Sequence, residues 1–455
     1  MFNAYNPANG ELLSSYNTIT DNRLRTLLTQ ADHRFKANIY QPLQVRIERV
    51  RNYAQNLRDQ SELHARSMTS NMGKPIVQAR AEVEKCAWLC DYYADIAEKE
   101  LADINVETDA KKSFVSFRPL GVLIGIMPWN FPYWQALRFA IPAILSGNTV
   151  LLKHAPSVPE CAIFLASLFD ESGFEPGTYT NIFITHDQVK KILSDRRIKG
   201  LSMTGSTAAG KKVASLTGKL MKKSLFELGG SDPYVILRDA DIQKAVKACV
   251  TSRLINNGQS CVAAKRFIIS SKVYDAFAEA FLTEMKKVTI EDPSNESCRL
   301  GPLARIDLRD KLHDQVERAV KAGANVITGG YIPDHSGYFY PATVLENVKK
   351  GSPAYKEELF GPVSPLIRAK SDDDALRIAN DTDYGLGASV FTEDTEKGEW
   401  LAKNILEAGN CFVNNFVKSD PRLPFGGIKS SGYGRELSPF GLKEFCNVKT
   451  VFISN

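Results

Sequence analysis

The chain has 455 residues, 44% of them hydrophobic and 24% charged, with a formal net charge of +5. That length predicts two or three domains, and the evenly interspersed charges offer no basic tract to a nucleic acid. Eight cysteines without a CxxC pair and six scattered histidines argue against a disulfide scaffold and against a metal centre. The opening MFNAYNPANGELL lacks a charged segment followed by an apolar one, and the apolar runs fall short of a bilayer span. A reducing, cytoplasmic setting without a membrane partner is expected.

From about Arg23 to Glu100 the pattern is helical. Leu43, Ile47, Val50, Tyr53 and Leu57 recur at spacings of three and four, which marks one buried face. Cys86 and Cys90 lie four apart in KCAWLCDYY and belong to such a face. KKSFVSFRPLG then changes to short alternation and reads as a strand or hairpin. After Gly121 the segments GVLIGIMPW, NTVLLKHA, TYTNIFIT, IKGLSMTG and KSLFELGG read as strands separated by helices. A second series begins near Asp239 and includes RFIIS, DAFAEAFLTEMKKV, IDLRDKLHDQVERAVKAG and ANVITGG. Apolar strands alternating with amphipathic helices imply parallel βαβ units, hence two doubly wound α/β domains with Cys261 near the start of the second. In such folds ligands sit beyond the carboxyl ends of the strands, often on helix N-termini. SDPRLPFGGIKSSGYGRE reads as a long ordered loop of the kind that carries function.

One cysteine stands in a polar stretch, INNGQSCVAAKR. Cys261 is either a small buried hydrophobe or a nucleophilic thiolate, and the second reading needs partners elsewhere. Glu227 in FELGGSD is a candidate general base beside two glycines, or else a solvated strand end. Asn130 in PWNFP carries an amide able to donate to an oxyanion. Lys153 ends the strand of LLKHAP, where a cation can meet a ribose or phosphate. MTGSTAAG ends a strand and opens a helix, with Gly205 and Gly210 around Ser206. Its spacing departs from the GxGxxG fingerprint, so it is a weak signal alone.

PWNFP, FELGGSDP, NNGQSC, EELFGPV and PFGGIKSSGYGRE follow one another in the order and spacing of the aldehyde dehydrogenase superfamily, with Glu227 34 positions before Cys261. The chain resembles that family over essentially its whole length. The resemblance implies an α/β, aldehyde dehydrogenase-like fold: a dinucleotide-binding domain (1–103 and 120–228), a catalytic domain (229–425) and a small β oligomerisation element (104–119 and 438–455). It implies Cys261 as nucleophile, Asn130 as oxyanion donor, Glu227 as base for hydrolysis of a thioester, and Glu436 as a proton relay. Cofactor contacts are implied for Met127, Pro128, Trp129, Lys153, Gly205, Ser206, Leu228, Glu358 and Phe360. No metal is implied, and a homodimer or homotetramer is expected. The Glu227 carboxylate favours a free acid product over a coenzyme A ester.

NAD-preferring members often carry a Glu three residues after the strand-end Lys, where this chain has Pro156. A carboxylate there would repel a 2′-phosphate, so the expected cofactor is NADP or NAD, with NADP competitive or better. Read otherwise, Pro156 is a turn residue and leaves the preference open. Runs such as NMGKPIVQARAEVEKCAWLCDYYA and CVAAKRFII resemble the bacterial NAD(P)-dependent succinate-semialdehyde dehydrogenases. Arg138, eight residues after Asn130, then implies an aldehyde with a carboxylate at its far end, and Ser419 adds a hydroxyl with charge from Lys418 or Arg422. The competing reading of Arg138 is an exposed helix residue or a structural ion-pair partner. Mammalian-type enzymes carry a second Arg where this chain has Ile255. Another anionic or general aliphatic aldehyde is the alternative substrate. A thiol esterase leaves the cofactor constellation unexplained, and a retired, non-enzymatic relative would have lost Cys261, Glu227 or Asn130.

Overall fold

The computed structural model describes residues 1–454. Four helices, Asp21–Asn38, Leu43–Asp59, Ser61–Met72 and Ile76–Glu100, follow a short N-terminal hairpin. Thr20 caps the first by accepting the Arg23 N–H. Ile47, Val50, Tyr53 and Leu57 are buried as their spacing predicts, and Cys86 and Cys90 face the same core.

The first series of strands forms a six-stranded sheet. Its order is Gly432–Tyr433, Lys223–Glu227, Ile198–Thr204, Val122–Ile126, Thr149–Lys153 and Tyr179–Asn181, parallel except for the first. A seven-stranded sheet runs Asn325–Thr328, Thr343–Glu346, Val363–Ala369, Arg266–Ser270, Pro233–Ile236, Gly387–Phe391 and Asn410–Val413. It too is parallel except at its first strand, which ANVITGG supplies. Helices separate successive parallel strands because each parallel pairing requires a crossover.

KKSFVSFRPLG forms no hairpin on itself. Lys112–Pro119 pairs antiparallel with Cys446–Ile453 along its whole length and also with Ile104–Asn105. Asn148 ties this element to the six-stranded sheet: its carbonyl accepts from the Leu120 and Gly121 amides, and its Nδ2 donates to the Phe445 carbonyl.

The Gly/Pro/Ser-rich loop supplies the short strand that pairs Gly432 with Glu227. Gly432 has φ +117°, and a Cβ there would lie 2.0 Å from the Phe226 carbonyl oxygen. Only glycine allows this backbone to close on the end of the Glu227 strand. The C-terminal loop is thereby fixed over the carboxyl ends of the sheet strands.

Candidate active site

The helix Ile242–Leu254 ends in a tight turn, Ile255–Gly258, in which Asn256 and Asn257 are left-handed. Asparagine tolerates that conformation better than most residues, and its amide can repay the strain. Asn257 Nδ2 donates to the Gly73 and Pro302 carbonyls at 2.7 and 2.9 Å, while its oxygen accepts from the Gly301 N–H. Gln259 Oε1 accepts from the Ala304 N–H, and the fully buried Arg253 donates to the Gly258 and Ala264 carbonyls. Lys265 donates to the Ser260 and Cys261 carbonyls. Gly258 has φ +76°, and a Cβ on it would lie 2.4 Å from Gly361 of EELFGPV. The polar setting of Cys261 is thus a frame whose donors and acceptors hold one loop rigidly.

Cys261 stands where two cavities meet; it and Gln135 line both. The first, of about 370 Å³, is bounded by Pro128, Trp129, Asn130, Gly205, Ser206 and Leu228, with Glu358 and Phe360 opposite. The second, of about 240 Å³, is bounded mainly by apolar side chains, with Lys85, Arg138, Lys418 and Ser419 among its polar ones. Burial pushes the Cys261 thiol up to about 11, against the pull of the Arg138 and Lys265 charges.

Asn130 Nδ2 donates to the Gln259 carbonyl at 3.0 Å, and the Asn130 carbonyl accepts from Asn256. The amide is therefore bound to the cysteine loop and retains a second N–H. Glu227 is buried at the end of its strand, and both carboxylate oxygens lack a hydrogen-bond partner. Burial raises its pKa well above the carboxylate range, Arg138 and Arg435 oppose that rise, and Glu436 adds to it. Glu227 lines neither cavity in this conformation.

Arg138 lines the second cavity, but its guanidinium is ion-paired with Glu436, and both are nearly inaccessible. Arg138 also reaches Thr204 and packs over the Phe425 ring. Ser202 donates to Glu436, whose pKa burial raises. Ser419 lines the same cavity and accepts from Lys85 at 2.8 Å. Ile255 is part of its apolar wall, and Arg422 is paired with Asp420 outside it.

Ser206 caps the helix Thr207–Lys219 at the rim of the first cavity, where a helix N-terminus favours an anion. Glu358 is held by the Gly230 N–H and by an ion pair with Lys265. Phe360 packs edge-on against Trp129 with ring centroids 5.8 Å apart. Met127 and Lys153 do not line this cavity; they lie at adjacent strand ends, joined by the Met127 N–H donating to the Lys153 carbonyl. The Lys153 ammonium sits over the Phe2 ring, and burial alone lowers its pKa. Nearby in the chain, Ser157 Oγ is buried with no partner.

Sequence reasoning missed Lys85, Glu82 and Ser157. Glu82 accepts the Tyr133 and Trp134 N–H groups at 3.0 Å each, which anchors the first turn of the Asn130-to-Arg138 helix, and it pairs with buried Lys74. Helical spacing gives Lys85 and Glu82 no signal beyond that of a solvated face. Ser157 directly follows Pro156, so the missing carboxylate there was the available clue.

The aldehyde dehydrogenase family model matches residues 1–451. A succinate semialdehyde dehydrogenase (NAD(P)+) of Escherichia coli is 44% identical over 447 residues, 98% of this chain and 96% of the relative. A succinate-semialdehyde dehydrogenase (NADP+) of Mycobacterium tuberculosis is 41% identical over 452 residues, 99% of each chain. The crystal structure of a Streptococcus pyogenes succinic semialdehyde dehydrogenase in complex with NADP+ is 37% identical and superposes with a TM-score of 0.98 over all of both chains. Lactaldehyde dehydrogenase from Escherichia coli, 29% identical, reaches 0.96 over 100% of this chain and 95% of its own. With a family match over nearly every residue and the cysteine, amide and carboxylate gathered around one loop, the chain belongs to the aldehyde dehydrogenase family.

Proposed function

We propose that the protein oxidises succinate semialdehyde to succinate with NADP or NAD, through a covalent intermediate on Cys261. The observation that carries this is the position of Cys261 at the junction of a cavity built for a nucleotide and a second one with cationic side chains. Relatives whose names specify that aldehyde support the substrate, with NADP+ or NAD(P)+ in those names supporting the cofactor.

The residues fit the nucleotide. Outside the first cavity's own lining, the buried Lys153 ammonium, without a carboxylate partner, and the unpartnered Ser157 hydroxyl, on a separate cavity with Pro156 and Arg305, are the donors suited to a phosphorylated ribose. Pro156 brings no competing charge. The N-terminus behind Ser206 offers N–H groups to a diphosphate. A Cβ at Gly229 would lie 2.5 Å from Glu358, so the backbone there is kept low beside the cavity. When bound, the nicotinamide supplies the acceptor for the hydride of the aldehyde.

Cys261 Sγ, once its proton has passed to water, attacks the aldehyde carbon; the carbonyl π pair moves to oxygen and gives the thiohemiacetal oxyanion. The free N–H of Asn130 is the oxyanion donor. Loss of the hydride leaves a thioester on Sγ. Glu227 takes a proton from water, whose oxygen attacks the thioester carbon; the carbon–sulfur bond breaks and releases the acid. Its raised pKa makes the ionised Glu227 a stronger base than an exposed carboxylate. The buried Glu436 beside Arg138 is suited to pass that proton on. The six-stranded sheet serves as the cofactor domain and the seven-stranded sheet as the catalytic one. Val448, Phe452 and Ile453, exposed on the C-terminal strand, support a homo-oligomer formed through the three-stranded element.

A general aliphatic aldehyde is the second reading, favoured by the Arg138–Glu436 pair, which occupies the guanidinium. Initial rates of nicotinamide reduction separate them. Succinate semialdehyde must exceed butanal in kcat/KM with NADP or with NAD; equal values rule out the anionic substrate.

A further inference from the structure

Resting on the anionic-aldehyde reading, we propose that Lys85, with Ser419 beside it, is the cation that receives the far carboxylate of the substrate. Arg138 was the sequence candidate, yet its charge is paired with Glu436, which does not line the cavity. Lys74 is likewise cancelled by Glu82. Lys85 lines the cavity that leads to Cys261 and is in no ion pair among the described residues. It is the half-buried cation there that no ion pair engages; Lys418 is exposed.

The ammonium is fixed from two sides. It lies 4.2 Å from the centre of the Trp134 ring and donates to Ser419 Oγ at 2.8 Å. Accepting that bond leaves the Ser419 O–H hydrogen available as a donor, and the ammonium keeps two further N–H groups. Trp134 also lines this cavity, and its Nε1 is buried without an acceptor. An anion is the chemistry that satisfies such a set. The apolar part of the lining, with Ile255, Val262, Phe416 and Phe425, suits a short methylene chain.

The groups facing Lys85 are Glu82 and Cys86 on its own helix, Arg138 on the next, and Lys418 and Asp420 on the loop opposite. Burial lowers the Lys85 pKa to about 8, Arg138 adds to that, and Cys86, Glu82 and Asp420 oppose it.

The test compares kcat/KM for succinate semialdehyde and butanal in wild type, Lys85→Met and Lys85→Arg. Lys85→Met is expected to lower the ratio about 10- to 100-fold, mainly through KM, and Lys85→Arg to restore most of it. In the wild type, KM for succinate semialdehyde should climb as pH rises past about 8, while KM for butanal does not follow. Ser419→Ala, which removes one hydroxyl, should raise KM for the anionic aldehyde in a chain that folds even where Lys85→Met does not. A wild-type preference that survives Lys85→Met, with no pH-dependent rise in KM, overturns the role of Lys85 alone. Absence of any wild-type preference overturns both this role and the substrate reading.

Discussion

Arg138, on the second cavity, and Glu436 form an ion pair that is almost wholly shielded from solvent, and both charges act on Glu227. A buried pair contributes little net stability against an apolar replacement, but breaking it leaves an uncompensated charge. Glu436→Gln should therefore destabilise the protein by about 3–5 kcal/mol. The double variant Arg138→Met with Glu436→Leu should lose less than Glu436→Gln alone. Urea unfolding of the single and double variants measures the difference. Additive losses would mean that the two side chains act independently.

The same pair bears on the nucleophile. The Cys261 thiol, pushed up to about 11, is largely protonated at neutral pH. Alkylation of the enzyme by iodoacetamide should accelerate about tenfold per pH unit from pH 7 toward 10. Arg138→Gln removes a charge that favours the thiolate and leaves Glu436 unneutralised, so it should slow alkylation at a given pH. A rate independent of pH over this range would contradict the protonated thiol.

Cofactor choice is expected to turn on Pro156. Pro156→Glu places a carboxylate near Lys153 and Ser157, where it opposes a 2′-phosphate. The ratio of kcat/KM for NADP over NAD should fall roughly 10- to 100-fold, as expected for about 1.4–3 kcal/mol of lost interaction. Steady-state kinetics with both nucleotides check it.

His154 predicts a pH dependence of stability. Its Nε2–H donates to the Pro132 carbonyl at 2.8 Å and its Nδ1 accepts from the Ala155 N–H at 2.9 Å, so the neutral ring is required. Burial lowers its pKa from 6.5 to about 4, and buried His64 is lowered likewise. In the unfolded chain both rings gain protons first as the pH falls. Stability is full above pH 6.5 and is lost between 6.5 and about 4, by on the order of 3 kcal/mol per ring. Urea midpoints across that window should fall with pH, and His154→Gln should flatten the slope.

Much of this was legible in the sequence because it is local. Strands such as Thr149–Lys153 and Ile198–Thr204 are continuous apolar runs, and the helix Pro132–Leu145 begins at its own proline. The strand Cys446–Ile453 was not readable as the partner of Lys112–Pro119, because pairing between distant segments leaves no periodic mark in either. The candidate residues show the same division. Cys261 announced itself through NNGQS, whose amides the folded loop uses one by one. The partner of Arg138 lies in a loop far along the chain, and only the fold brings Glu436 to it. Lys85 reads as one more cation on an amphipathic helix, because what its charge meets is a property of the assembled cavity.

The central claim is that Cys261 carries the acyl group of an aldehyde with a distal carboxylate and that Glu227 frees it. The most direct measurement is the intact mass and peptide map of Glu227→Gln after one turnover with succinate semialdehyde and NADP. A chain heavier by one succinyl group, mapped to Cys261 and persisting while reduced nicotinamide stops at one equivalent, is the predicted result. Continued turnover at the wild-type rate with Cys261 unmodified would contradict it.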